Sequence, residues 1–402
     1  MSFFFWKDGE NMMNNLASDS RRFAVAAALA CAGLAPWLAA SAQAVGDEVD
    51  RAKTYVKGVP SLEEVMKGDV EAPPSSGPKA APGKKIWWVA CGLKIETCAL
   101  MADSAKGAAK ALGWSMQIGD GMVSPIGYAE AMRTALAQKP HAIVVHGIAC
   151  GLIKQPLNEA RAQGVPVLGL QSPDCDEPPE NGKALFSGPM KYNSQVANME
   201  KASYLRGKLA AQYAMNITKG QANVITVRGN DPTMEPINRG FVEELKKCES
   251  CKIVKSIGFV STELGPDGPV AQGISAALAQ HPQANVLYGP YDGILVGSRG
   301  AQIVKQSGRS VFVIGADGTP AGLDLVRQGL VSVETGGKSF DWYTWGALDN
   351  VNRLLNGQPT VAQGLGWQPV DKQHNLPAKS GGPLTAPFDV QAHYTKIWKG
   401  AQ

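Results

Sequence analysis

At 402 residues, with 44% apolar and 18% charged residues, the chain holds enough apolar material for two domains, each with a core of its own. Its formal charge is only +4 and no long run of one sign occurs. That balance excludes nucleic acid or an anionic membrane surface as an electrostatically recruited partner.

Residues 1–44 read as an export signal. A polar start with Arg21 and Arg22 precedes the apolar stretch 23–40, which Pro36 interrupts, and Ala42-Gln43-Ala44 is the small-x-small pattern of a cleavage site. Pro36, the small residues and that pattern argue against a membrane anchor, so the mature chain is expected to start at Val45 after export. The route, general secretion or twin-arginine, stays open. Export leaves six cysteines in an oxidising compartment: Cys91, Cys98, Cys150, Cys175, Cys248 and Cys251. Closeness in sequence favours Cys91 with Cys98 and Cys248 with Cys251, which leaves Cys150 with Cys175.

Residues 45–83 mix charge with a Pro-rich stretch too poor in apolar residues to pack, and read as a flexible linker. From residue 85 the pattern alternates regularly: strand 86–90, helix 97–112, strand 114–118, helix 128–137, strand 142–146, helix 152–163 and strand 165–170. A Pro- and acid-rich passage, 172–182, interrupts the rhythm before an extended piece at 184–187 and a long helix over 193–215. Alternation then resumes with strands at 222–227, 253–259 and 286–289 and helices over 234–247, 270–280 and 293–307. Two successive βα series without hairpin turns predict two parallel sheets with helices on both faces. After them a helix over 342–355 is ended by Gly357, and 358–402 reads as largely irregular.

The second series closes on VFVIGADGTPAGLDLVRQGLVSVE, residues 311–334. Four apolar residues form a strand, Gly315-Ala316-Asp317-Gly318 a turn, Thr319 caps a helix and Pro320 suits its first turn. Open α/β sheets hold ligands at the carboxyl ends of their strands, which is where Asp317 falls.

Exported chain, two βα series and the string VIGADGTPAGLDLVRQGLVSV together resemble the type I periplasmic solute-binding proteins, in the ribose-type branch that serves ABC importers. The resemblance spans roughly 84–356; Gly289-Pro290-Tyr291-Asp292 and Arg239-Gly240-Phe241 support it. It implies an α/β fold of two doubly wound parallel-sheet lobes joined by a three-segment hinge. One lobe would be 84–187 plus 337–366, the other 188–336 plus 367–385, with a tail at 386–402 and crossings near Ser187, Gly337 and Trp367. The implied function is capture of a small ligand in the interlobe cleft and delivery to an inner-membrane ABC permease, by a monomer that is not an enzyme and needs no cofactor or metal.

Strand carboxyl ends nominate the ligand contacts. In the first lobe these are Leu93, Glu96, His146, Gln171, Ser172 and Asp174; in the second, Arg228, Asn230, Asp231, Glu235, Tyr291, Asp292 and Asp317. Trp342 is a candidate for stacking on a ring. The resemblance assigns Asp317 to ligand hydroxyls, but departs from a pentose site: Gln171-Ser172-Pro173-Asp174 stands where pentose binders carry an Asp-Arg pair, and Glu235-Pro236-Ile237 where they carry an Arg. The expected ligand is therefore sugar-like without a standard pentose site, with a non-sugar, such as a small aromatic, as the alternative. A sensory receptor is a second functional class. A thiol-disulfide enzyme is a third, suggested by Cys248-Glu249-Ser250-Cys251, although that motif ends a helix rather than opening one. His141, His281, His374 and His393 lack metal-ligand spacing.

Overall fold

The computed structural model describes residues 49–230, 232–260 and 263–400; the expected export signal, its cleavage after Ala44, and Asp231 lie outside the described residues. A short helix, α1 (Leu62–Val65), precedes the first sheet, β1 (Lys85–Ala90), β2 (Ser115–Asp120), β3 (Ala142–His146) and β4 (Val167–Leu170), in the order β2-β1-β3-β4. Its connections are α2 (Glu96–Ala111), α3 (Pro125–Ala137) and α4 (Lys154–Ala162). The second sheet runs β6-β5-β7-β8-β9, built from β5 (Asn223–Gly229), β6 (Lys252–Phe259), β7 (Val286–Tyr288), β8 (Phe312–Gly315) and β9 (Val333–Glu334). Five helices serve it: α5 (Met199–Ile217), α6 (Glu235–Leu245), α7 (Pro269–Gln280), α8 (Gly300–Gln306) and α9 (Pro320–Gln328). Two more, α10 (Phe340–Leu355) and α11 (Val390–Trp398), follow.

Every pairing between these strands is parallel. Parallel strands need cover on both faces, which explains why β1 buries five consecutive residues, Ile86 to Ala90, and β4 all four of its own. Trp88 faces Met101 and Trp345 on one side of the first sheet, while Trp87 and Val89 pack with Met132 and Leu157 on the other. The two-lobed parallel α/β architecture read from the alternation is thus the one observed.

Four local expectations change. The helix expected from 193 starts at Met199, where Asn198 caps it by accepting from Lys201 N at 3.1 Å. Residues 184–187 form no strand: Ser187 N donates to Val167 O at 2.8 Å, its hydroxyl accepts from Val167 N at 2.9 Å, and the next residue, Gly188, bridges Leu168. The helix expected over 293–307 is split into a π-helical turn, Gly293–Gly297, and α8, because Arg299 between them takes a left-handed φ of 54°. The tail was read as irregular, yet α11 buries Tyr394, Ile397 and Trp398, with Trp398 stacked on Trp345 at 5.3 Å.

The described part of 45–83, expected to be a flexible linker, is packed. Ser61 and Glu64 form a capping box on α1, and Leu62 and Val65 enter the core beside Ala210 and Ala214 of α5. Further on, Asp69 exchanges backbone and side-chain bonds with Trp367, and Ala81 accepts from Trp114 Nε1 at 2.6 Å. Its sequence composition misleads because the segment borrows apolar partners from both lobes rather than from itself.

Two glycines set the distance between α5 and α6. A Cβ at Gly240 would stand 2.0 Å from Tyr204 O, and one at Gly207 would stand 1.9 Å from Ile237 O. Gly240→Ala is therefore expected to cost about 1–3 kcal/mol of stability by forcing the helices apart. Gly107→Ala, with nothing within 4 Å of its added Cβ, should instead raise stability by about 0.4–1 kcal/mol. Urea denaturation of the two variants beside the wild type checks the pair.

Candidate functional site

A cavity of about 440 Å³ lies between the lobes, at the carboxyl ends of both sheets. Tyr128, His146 and Gln171 reach it from the first sheet and its helices; Asn230, Phe259, Tyr291 and Asp317 reach it from the second. Arg206 of α5 and Lys338, just before α10, complete its charged end.

Asp317 follows β8 and is 5% exposed. Its Oδ1 accepts from Arg206 at 2.8 Å and lies 3.6 Å from Lys338 Nζ, while Oδ2 accepts from Asp292 N at 3.2 Å. Arg206 also donates to Pro290 O at 2.6 Å and lies 5.3 Å over the Trp367 ring. Burial alone would raise the Asp317 carboxyl, but Arg206 and then Lys338 outweigh it and hold it below the ordinary range. Burial lowers the Lys338 ammonium, and Asp317 recovers only part of that loss.

The turn that carries Asp317 is held from behind. Asp292 accepts from Asp317 N at 3.0 Å, Thr319 N at 3.0 Å and the Thr319 hydroxyl at 2.7 Å, and Thr319 caps α9 through Gly322 N at 3.1 Å. Gly318 takes φ 66° with its Cβ position 2.8 Å from Gly337 Cα, so a side chain fits neither the conformation nor the space. Glu334 accepts from Gly318 N at 3.2 Å. Burial, reinforced by the neighbouring Asp292 charge, pushes the Glu334 carboxyl well above its usual value, which favours its protonated form beside Asp292.

On the first lobe, His146 ends β3 and its Nε2 faces Gln171 Oε1 at 3.1 Å, which makes Nε2 the donor. Burial lowers the imidazole to about 4, so the ring is neutral at physiological pH. Cys91 Sγ lies 3.9 Å from His146 Nδ1, and the Cys91–Cys98 disulfide forms part of the cavity wall. Cys248–Cys251, which its spacing favoured, and Cys150–Cys175, the pair that remained, are the other two.

The remaining sequence candidates lie elsewhere. Asp292 supports the Asp317 turn and does not line the cavity. Ser172 accepts from Ile148 N at 3.0 Å, and Asp174 accepts from Cys175 N at 2.7 Å and Leu185 N at 2.8 Å, so both build loops. Leu93 is 39% exposed outside the cavity, its N–H donating to Asp120 Oδ1 at 3.0 Å. Glu96 opens α2 and reaches across to the other lobe; burial raises its carboxyl, and the Thr319 hydroxyl and Ala321 N–H draw it partway back. Arg228 and Glu235 line a separate cavity of about 400 Å³ between α6 and the edge strand β6, because strand alternation turns Arg228 toward α6 while Glu235 pairs with Arg239 at 2.8 Å. Trp342 is 3% exposed in the core, its Nε1 on Gln363 O at 2.8 Å. Sequence reasoning missed Arg206, Lys338, Tyr128 and Phe259. Arg206 left a signal: it interrupts the stripe of Ala202, Ser203, Gly207 and Ala210 on α5, and an arginine in a buried small-residue stripe needs an acid partner.

Two titrations follow. The His146 ring proton signal in NMR should stay fixed between about pH 5.5 and 8 and move only as the pH falls toward 4. Glu334 holds its proton in the fold above the unfolded value of 4.5, so its contribution is complete below that value and is lost as pH rises toward the folded pKa. Glu334→Gln, which keeps a donor beside Asp292, should flatten the fall in urea stability as the pH is raised above 4.5.

Comparison with known proteins bears on what such a cleft does. Residues 84–359 match the family model described as a periplasmic binding protein domain. No curated protein matches the sequence. Among solved structures, a glucose-galactose binding protein from Geobacillus stearothermophilus superposes with TM-score 0.60 at 20% identity, covering 72% of this chain and 98% of that one. The binding component of the arabinose ABC transporter from Shewanella sp. ANA-3, bound to L-arabinofuranose, gives 0.60 at 17% identity over 79% of this chain and 96% of its own. A solute-binding protein from Actinobacillus succinogenes 130z with bound D-allose gives 0.60 at 19%, over 72% and 98%.

Proposed function

Since the chain belongs to the periplasmic binding protein family, we propose that it captures a small, sugar-like ligand in the cleft between its lobes and hands it to an ABC importer of the inner membrane. The observation that carries this is the cavity itself: it is walled by both lobes, has a volume in the range of small-molecule sites, and ends at a buried carboxylate. A ligand that touches Gln171 and His146 on one side and Asn230 and Asp317 on the other stabilises the closed arrangement, and only such two-sided contact gives closure a cause.

In this reading the lobes are 84–187 with 337–366 and 188–336 with 367–385. The crossings are those expected near Ser187, Gly337 and Trp367, and Gln368 N donating to Gly337 O at 2.8 Å ties the last two together. Tyr128, Phe259 and Tyr291 on the cavity wall supply faces against which a ring stacks. Asp317 accepts from a ligand hydroxyl, an interaction that a carboxylate held ionised by Arg206 makes well. The protein works as a monomer in the periplasm, after removal of residues 1–44, and performs no chemistry on its ligand. The galactose, arabinofuranose and allose binders with the same fold support a ring-shaped ligand.

A thermal-shift screen of monosaccharides, sugar acids, polyols and small aromatic acids tests the reading, since a ligand at about 100 times its dissociation constant adds roughly 2.7 kcal/mol of stability. Asp317→Ala should abolish the shift of whichever compound stabilises the wild type, with far-ultraviolet circular dichroism unchanged. An undiminished shift in that variant removes Asp317 from the site.

A further inference from the structure

The charged end of the cleft holds more than a neutral ring needs. Three charged side chains line the cavity, and two of them, Arg206 and Lys338, are cations sharing the single carboxylate of Asp317. Both oxygens of that carboxylate are already engaged. Lys338 is 2% exposed; its ammonium lies 5.4 Å over the Phe340 ring and 5.7 Å over the Trp367 ring, and among the described residues its polar contacts are to Asp317, at 3.3 Å to the backbone oxygen and 3.6 Å to Oδ1. Both contacts are longer than a charge-assisted hydrogen bond normally is. The other acids nearby are occupied: Asp292 accepts from Asp317 N and from Thr319, Glu334 accepts from Gly318 N at 3.2 Å, and Glu96 faces the first turn of α9. His146 is neutral.

The opposite wall points the same way. Helix α2, of 16 residues, enters the cavity with its N-terminus, where Ile95 has no side-chain cap to offer, and Ile95, Thr97 and Cys98 line the space. Thr97 is 9% exposed and its hydroxyl has no hydrogen-bond partner among the described residues. An uncapped helix start beside a free buried hydroxyl is an arrangement that receives an anion.

We propose that the ligand is a ring-bearing monocarboxylate, its carboxylate held between Lys338 and the first turn of α2 and its ring against Tyr128 and Phe259. This rests on the cleft-capture reading and names the class of molecule captured. Lys338 and α2 belong to one lobe and anchor the carboxylate there, while the ring against Phe259 engages the other lobe, so the bound acid touches both and gives closure its cause. A sugar acid and an aromatic acid share this chemistry, and matched pairs separate them.

Titration calorimetry on the whole chain compares D-galacturonate with D-galactose and 4-hydroxybenzoate with 4-hydroxybenzyl alcohol. In one pair the acid is expected to bind at least about tenfold more tightly than its neutral partner, the ratio one charge-assisted bond supplies. Lys338→Met and Thr97→Val should each remove most of that preference, and Lys338→Arg should keep it. Thr97→Val is nearly isosteric and carries the test if Lys338→Met fails to fold. Equal or tighter binding of the neutral member in both pairs overturns the proposal while leaving cleft capture standing. So does an acid whose affinity neither substitution changes, and so does the lack of binding of both acids at about 10 mM, when another compound of the thermal-shift screen binds.

Discussion

The ion pair between Arg206 and Asp317 ties together parts of the chain that lie far apart in sequence. Arg206 stands in α5, Asp317 after β8, its second acceptor Pro290 after β7, and the ring beneath it belongs to Trp367. Both side chains are almost wholly buried, at 5% and 7% exposure. Such a pair is strongly destabilised when one partner is removed, because the other is left as an unpaired buried charge, at a typical cost of about 3–5 kcal/mol. The arrangement of the turn after β8, the segment before α10 and the charged end of the cavity follows from satisfying these two groups.

Around the pair, charges are arranged in alternation. Lys338 adds a second cation, Asp292 holds the Asp317 and Thr319 amides, and burial together with the Asp292 charge raises the Glu334 carboxyl, disfavouring a third adjacent negative charge. The backbone comes close enough for this only because Gly318 meets Gly337. Cys248 and Cys251 form a disulfide and do not line the cleft.

How much of the site was legible depended on sequence distance. Asp317, Tyr291, Asn230, His146 and Gln171 sit at or just past strand ends, and the rule that ligands gather there finds them without coordinates. The same rule also nominates Asp292, Ser172 and Asp174, because it places a residue at the cleft edge without saying whether its polar atoms are spent on the backbone, as theirs are. Arg206 sits in the middle of a helix and Lys338 in an irregular segment, where no periodicity marks a cleft residue.

By itself the sequence determined the two parallel α/β lobes and the capped start of α9, and it favoured two of the three cysteine pairs, Cys91–Cys98 and Cys248–Cys251. Each is written in local pattern: apolar runs of strand length, Thr319-Pro320 at a helix start, and cysteines close along the chain. Only the tertiary structure decided that 59–83 packs across both lobes, that α11 completes the first lobe's core, and that two cations converge on one carboxylate. Those are meetings of residues separated by tens to hundreds of positions. Their free energy comes from apolar surface and charge supplied by a distant partner, which no local window of sequence contains.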